Sequence, residues 1–329
     1  MTGMTDEMRN DWRLTQNVAQ ITRVEPDRKV TALMDFRKRF GHNEMIRREL
    51  SGWGLQFSSN LVHCSARNIA DRIKIVSGNE EFAIRNSDWT SKTNGLHMAV
   101  AVKLEKWIVL VPSGDLAAKA RAFIQQMKMV GKSQNFIIPE PTYVEMKSNR
   151  DSDYLKALKE SLESRAYSIA MVVMRHADTG TYKTIKKVAY CDIGIPAQVV
   201  TGKVLMKQPH ATKAIATKVM VQMAAKMGAE PWRIKSLFPF NANKRRVVIG
   251  YDTYHDGKQT KAVGAFVASI NESFTRYVSS VLLHENSEEI SPNFKVHFSN
   301  CMKAYYRANN KQLPTDVFFY RDGVGAGDI

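Results

Sequence analysis

The chain has 329 residues, of which 44% are apolar, so it can form two or three folded domains and is not a disordered polypeptide. No apolar run approaches the roughly 18 residues of a membrane-spanning helix. Its three cysteines lie too far apart in sequence for a zinc ribbon or a disulfide scaffold. The 48 basic residues outnumber the 32 acidic ones, which gives a net charge of +16.

The excess positive charge is concentrated in one stretch. Between Thr181 and Arg246 there are 13 basic and two acidic residues, a net charge of +11. Such a one-sided field attracts polyanions, and it favours RNA over a solubilising surface. An anionic membrane is a weaker interpretation because no amphipathic anchor accompanies the charge.

The first hundred residues differ in pattern from the rest. Residues 1–40 predict a charged helical region with an apolar stripe. Residues 41–100 contain short alternating segments, such as Gly54–Phe57 and His97–Val102, which predict a small strand-rich connecting unit.

From about residue 105, predicted strands alternate with predicted helices, which indicates a parallel α/β layer. The strands are Trp107–Val111, Phe136–Ile138, Tyr167–Met174 and Ala197–Thr201, and the helices are Leu116–Val130, Asp153–Ser164, Thr181–Tyr190 and Ala211–Met227. Four further strands and one helix follow Pro239. They are Arg246–Asp252, Ala262–Ile270, Arg276–Leu283, Val317–Tyr320 and the helix Phe294–Ala308.

Five polar residues of the basic stretch form a candidate phosphate site. Tyr182 and Lys186 are four residues apart on one predicted helix, Gln222 and Lys226 repeat that spacing on the next long helix, and Gln198 lies between. Lysine supplies point charge to a phosphate, whereas tyrosine and glutamine supply directed donors. Taken alone, such pairs are more often part of a solvated helix face.

Two aspartates follow apolar strands in the last segment. Asp252 ends VVIGYD and Asp322 ends DVFFYRD. If the strands are neighbours, the two carboxylates can share divalent metal ions that activate water for phosphodiester cleavage. The alternative is a pair of ordinary strand-end turns.

Seven strings, in order along nearly the whole chain, resemble the PIWI clade of the Argonaute superfamily. They are TGMTDEMRNDW, TYKTIKK, PAQVVTGKVL, KVMVQMAAKMGAEPW, VVIGYDTYHD, VGAFVASIN and YRDGVGAGDI. The resemblance implies an α/β fold in three parts. Residues 1–103 would be a mixed α/β second linker after a missing PAZ domain, 104–240 a Rossmann-like MID domain with a parallel sheet, and 241–329 the first part of an RNase H-like PIWI domain.

The resemblance also assigns roles to residues. It implies that Tyr182, Lys186, Gln198 and Lys226 hold the 5′ phosphate of a guide RNA, and that Gln222 helps to arrange a metal there. For target cleavage it implies Asp252, Glu289 and Asp322, with Mg²⁺ (or Mn²⁺) held by Asp252 and Asp322. Glu285 and Glu288 are rivals to Glu289, and the fourth member, a histidine, would lie beyond Ile329.

The expected function is therefore piRNA-guided RNA silencing, with a guide RNA and a target RNA as partners. The family further suggests germline transposon silencing, Tudor-domain partners, and a cytoplasmic location in perinuclear granules, or a nuclear one. The main alternative is a guide-binding scaffold that does not cut. A transposase-like RNase H nuclease explains the sequence less well, because it needs no 5′-phosphate pocket. A structural interaction module explains it less well because it leaves the concentrated charge of +11 without a role.

Overall fold

The computed structural model describes residues 3–67, 73–84, 89, 95–148, 150–163, 166–207, 209–235, 244–255, 260–285 and 293–322. The chain divides into two compact units between residues 67 and 68. The predicted domain boundaries near residues 103 and 240 stay predictions. No helix in these ranges is both long enough and apolar enough to cross a membrane.

The first unit is helical. It comprises α1 (Asp6–Asn10), α2 (Trp12–Thr22), α3 (Pro26–His42) and α4 (Glu44–Gly52). The Asp11 carboxylate caps α2 by accepting from the amides of Arg13 and Leu14 at 2.9 and 3.1 Å. The predicted strand Gly54–Phe57 is wrong, because Gly54 is left-handed and the Leu55 amide bonds back to Leu50, which closes α4.

The second unit begins with a small antiparallel sheet. Strand β1 (Lys74–Ser77) lies between β2 (Glu80–Ala83) and β7 (Arg233–Ile234). The predicted strand His97–Val102 is wrong in extent, because only Val100 pairs, in a single bridge to Glu230. This region therefore ties the start of the unit to the chain near residue 230.

A four-stranded parallel sheet forms the centre of the second unit. Its order is β4 (Thr142–Met146), β3 (Trp107–Pro112), β5 (Ile169–Met174), β6 (Ala197–Thr201). Every residue of β3 and β5 is buried. Such unbroken apolar strands are typical of a parallel sheet whose two faces are both covered.

Helices cover both faces of this sheet, which confirms the predicted Rossmann-like fold. On one face lie α5 (Asp115–Ser133), the short α8 (Gly202–Leu205) and α9 (Pro209–Lys226). On the other lie α6 (Asp151–Leu162) and α7 (Thr179–Lys186). Alternate residues of β3 and β5 point into the two cores, so both helix layers are fixed by the same two strands.

The predicted strand Phe136–Ile138 is wrong. Phe136 and Ile138 are buried and Ile137 is exposed, which imitates the alternation of a strand. The Phe136 amide instead donates to the Gly131 carbonyl at 2.9 Å and closes α5. The strand that pairs with β3 starts later, at Thr142.

The third sheet has the mixed order of an RNase H-like domain. Its strands, in the order β10 (Tyr277–Glu285), β9 (Lys261–Ser269), β8 (Arg246–Tyr254), β11 (Asp316–Arg321), are antiparallel except for the parallel pair β8 and β11. Helix α10 (Phe294–Ala308) packs on one face through Cys301 and Tyr305. The parallel pairing brings the carboxyl ends of β8 and β11 to the same edge.

The other face of this sheet carries exposed apolar side chains in the described part of the chain. Val281 and Leu283 of β10 are 62% and 65% exposed, and Val263 and Val267 of β9 are more than a third exposed. A contiguous apolar surface of this kind promotes association with other protein surfaces.

Gly131 offers a test of the packing at the end of α5. A Cβ atom there would lie 2.5 Å from the Phe136 carbonyl oxygen, which is backbone and cannot rotate away. We expect Gly131→Ala to lower the free energy of unfolding by about 1–3 kcal/mol, as overpacked sites do. Gly41→Ala is the control, because this helical glycine has nothing within 4 Å. Equal midpoint temperatures of thermal unfolding for Gly131→Ala and the unmodified chain would contradict the close packing at this site.

Candidate phosphate-binding site and carboxylate pair

Four segments position the predicted phosphate site: α7, the turn that follows it, β6 and α9. Asp178 caps the start of helix α7, since its carboxylate accepts from the Thr181 amide at 2.6 Å. That hydrogen bond lowers the pKa of Asp178. Strand β6 pairs with β5 at one side of the sheet, and its first residues, Ala197 and Gln198, face the ends of α7 and α9.

The five predicted residues come together around the start of β6. The Lys186 ammonium group donates to the Ala197 carbonyl at 2.6 Å, and the Lys226 ammonium donates to the same oxygen at 3.2 Å. Lys226 also donates to Gln198 Oε1 at 2.6 Å, and Gln198 Nε2 donates to Gln222 Oε1 at 3.0 Å. Tyr182 lies beside Lys186, with its ring centroid 5.5 Å from the ammonium nitrogen.

The electrostatics of this cluster favour an anion. Burial lowers the pKa of Lys186. Burial, and then repulsion by Lys186, lowers the pKa of Lys226 to about 8. None of the ion pairs found among the described residues involves either lysine. Two partly desolvated cations that share one carbonyl are thus held ready for a negative ligand.

Tyr190 is a site residue that sequence reasoning missed. Its ring centroid lies 5.0 Å from the Lys186 ammonium, closer than that of Tyr182. The predicted helix Thr181–Tyr190 is α-helical only to Lys186 and continues as a π-helical turn, Lys187–Ile193, closed by left-handed Gly194. Both tyrosines are nearly half exposed, so the two rings flank Lys186 on the solvent side. The four-residue spacing from Lys186 was the available signal.

The second predicted site is partly assembled. In the register of β11 and β8, Arg321 lies beside Tyr251, and the Asp322 amide donates to the Tyr251 carbonyl at 3.2 Å. The next residues along the two strands, Asp322 and Asp252, are therefore neighbours. Both aspartates are exposed, on the face opposite the buried Tyr251.

The third predicted acid, Glu289, lies outside the described residues, as does its rival Glu288. Glu285, the other rival, ends β10 and is exposed two strands away from β8. Among the described residues no group of three potential metal ligands occurs. The structure thus brings Asp252 and Asp322 together, and the placement of the third acid stays a prediction.

The lysine pair gives a pH-dependent prediction. We expect the Lys226 side chain to titrate near pH 8 in a nitrogen-detected NMR experiment. Lys186→Met should raise that pKa, because the neighbouring positive charge is removed. Lys183→Met, an exposed lysine on the same helix, should leave it unchanged. A Lys226 pKa near the ordinary value of 10.5 in the unmodified chain would contradict the partial desolvation of Lys226 and its repulsion by Lys186.

The lowered pKa of Lys226 also determines how the stability of the fold changes with pH. Between pH 8 and 10.5 the unfolded chain keeps a proton that folded Lys226 has lost. The contribution of Lys226 to the free energy of unfolding therefore rises with pH across this window and is constant below it. The site costs stability at neutral pH, and an anion relieves that cost.

Comparison with known proteins gives concordant results. Residues 169–329 match the Piwi domain family model. The chain is 33% identical to the protein aubergine of Drosophila melanogaster over 336 residues, which covers all of this chain and 38% of aubergine. The chain thus spans little more than a third of that relative's length.

Two crystal structures share the fold. Drosophila Piwi matches with a TM-score of 0.80 and 22% identity over 96% of this chain and 42% of Piwi. Kluyveromyces polysporus Argonaute, solved with a guide RNA, matches with a TM-score of 0.62 and 16% identity over 77% of this chain and 33% of that protein. From the family match, the sequence relative and the shared fold together, the chain belongs to the PIWI clade of the Argonaute superfamily.

Proposed function

We propose that this chain binds the 5′ phosphate of a small guide RNA, and that the whole protein uses the guide in piRNA-directed RNA silencing. The observation that carries the proposal is the convergence of Lys186 and Lys226 on the Ala197 carbonyl, with Gln198 and Gln222 hydrogen-bonded beside them. A terminal phosphate would supply a negative counter-charge for the two ammonium groups.

The geometry accounts for each part of the 5′ end. The lysines neutralise the phosphate, and since phosphate raises the pKa of Lys226, binding near pH 8 takes up a proton. The rings of Tyr182 and Tyr190 offer faces on which the first base can stack. Base pairing to the target RNA then supplies sequence specificity, while the protein holds ends and backbone.

The residues present fit divalent magnesium, with manganese as a substitute. Asp252 and Asp322 are side by side, exposed and oxygen-bearing, which is the ligand type that Mg²⁺ prefers. The amide oxygens of Gln198 and Gln222 offer the same ligand type at the phosphate pocket. A bound metal would supply activation of water and charge stabilisation during cleavage of the target strand.

The proposal includes cleavage of the target RNA by the whole protein. Asp252, Asp322 and Glu289 are assigned to the cleavage site. A non-cutting silencing scaffold would use the same phosphate pocket and differ only in its independence of these acids. Tudor-domain partners, a germline role and a perinuclear cytoplasmic or nuclear location belong to the proposal through the family alone.

The guide-binding proposal predicts a preference for one RNA end. The chain should bind 5′-phosphorylated RNA about tenfold or more tightly than the same RNA with a 5′ hydroxyl, in fluorescence anisotropy at fixed salt. Tyr182→Ala with Lys186→Ala should erase the preference. Lys183→Ala, which removes an exposed charge from the same helix, should weaken both RNAs alike. Equal affinity of the unmodified chain for the two RNAs would overturn the proposal.

The cleavage proposal predicts a separation of binding from cutting. In the whole protein, Asp252→Ala or Asp322→Ala should abolish Mg²⁺-dependent cleavage of a paired target, while guide affinity stays near normal because the phosphate pocket lies on a different sheet. Silencing that survives both substitutions would favour the scaffold. Loss of guide binding in Asp252→Ala would instead show that this aspartate is structural.

A further inference from the structure

A buried glutamate joins the phosphate pocket to the third sheet. Helix α9 ends at Lys226, and Glu230 follows four residues later. Its backbone is fixed by two hydrogen bonds to Val100, of 2.8 Å from the Glu230 amide and 3.0 Å to the Glu230 carbonyl. The segment that carries Lys226 therefore leads directly into an anchored residue.

The Glu230 side chain is 6% exposed and is held by the turn between β9 and β10. Oε1 accepts from Asn271 Nδ2 at 2.9 Å. Oε2 accepts from the hydroxyl groups of Ser273 and Thr275 at 2.9 and 2.7 Å. Among the ion pairs of the described residues none includes Glu230, so its side-chain partners there are neutral hydrogen-bond donors.

The turn is itself rigid. Asn271 Oδ1 accepts from the amides of Thr275 and Arg276, both at 3.0 Å, so one side chain closes the turn and also reaches Glu230. The turn connects β9 with β10, and β9 pairs with β8, where Ala265 lies opposite Asp252. The turn is thus continuous with β9, which pairs with the strand that carries the first catalytic candidate.

We propose that Glu230 is a positioning residue that couples occupancy of the 5′-phosphate pocket to the third sheet. The ligand in this inference rests on the proposed function. The physical reason is that a buried carboxylate loses far more than one weak contact if its donors move away, because it is left desolvated and unpaired. The hydrogen bonds between Glu230 and the turn therefore form together. A phosphate that holds Lys226 at the end of α9 favours the conformation in which they are made.

Hydrogen exchange on the full chain tests the joint without RNA. Glu230→Ala should make exchange about tenfold faster both in residues 261–285 and at the end of α9 near Lys226, because the side-chain link between the two segments is lost. Ser279→Ala, an exposed serine on β10, is the control and should change neither segment. Faster exchange confined to the turn, with α9 unchanged, would show a merely local role and overturn the coupling.

A second arm adds a short 5′-phosphorylated RNA. In the unmodified chain, RNA should slow exchange at β6 and α9 and also in residues 261–285. In Glu230→Ala the pocket should stay protected while the protection of 261–285 is lost; protection of both would refute the coupling. If Glu230→Ala does not fold, Thr275→Val, which removes one donor to Oε2, is read by the same criteria. RNA that fails to protect the pocket in the unmodified chain contradicts the proposed function, whereas the first arm still decides the joint.

Discussion

The pairing of β6 with β5 is the constraint on which the phosphate pocket depends. The Ala170 amide donates a hydrogen bond to the Pro196 carbonyl at 3.0 Å, and Ala170 pairs with Ala197 in the register of the two strands. Successive carbonyls of a strand point in opposite directions, so the next one, that of Ala197, faces away from β5 and is free of the ladder. This outward carbonyl near the start of β6 is the acceptor shared by Lys186 and Lys226.

The fold holds the two lysines close together, so an anion bound between them would relieve their repulsion. The two ammonium groups lie 2.6 and 3.2 Å from one oxygen. Partial desolvation lowers the pKa of both lysines, and repulsion by Lys186 lowers the pKa of Lys226 further. The chain tolerates this because two cores pack the helices that carry these lysines against both faces of the parallel sheet. The net charge of +16 then acts at long range to attract polyanions, whereas in the proposed function the pocket selects a terminal phosphate at short range.

The two larger sheets have separate cores, and hydrogen bonds of Glu230 join them. The carboxylate of Glu230 meets Asn271, Ser273 and Thr275 at the joint. Directed hydrogen bonds specify one relative placement, because each donor must lie within about 3 Å of a carboxylate oxygen. An apolar joint of the same size would leave the sheets freer to slide. Such a joint suits the proposed division of labour, in which one sheet holds the end of the guide and another carries the carboxylate pair.

The sequence by itself determined the features that depend on local spacing. Apolar runs predicted β3, β5 and β6, the four-residue spacings selected Tyr182, Lys186, Gln222 and Lys226, and the quoted strings indicated the PIWI clade. These signals are readable because helix and strand periods fix which side chains share a face.

Only the tertiary structure decided the features that depend on distant partners. The alternation at Phe136–Ile138 imitates a strand, but packing against the end of α5 produces it. Asp252 and Asp322 are neighbours only because β11 pairs in parallel with β8. Glu230 finds donors 41 to 45 residues away. No local period encodes such contacts, since they follow from how whole elements pack after the chain has folded back on itself.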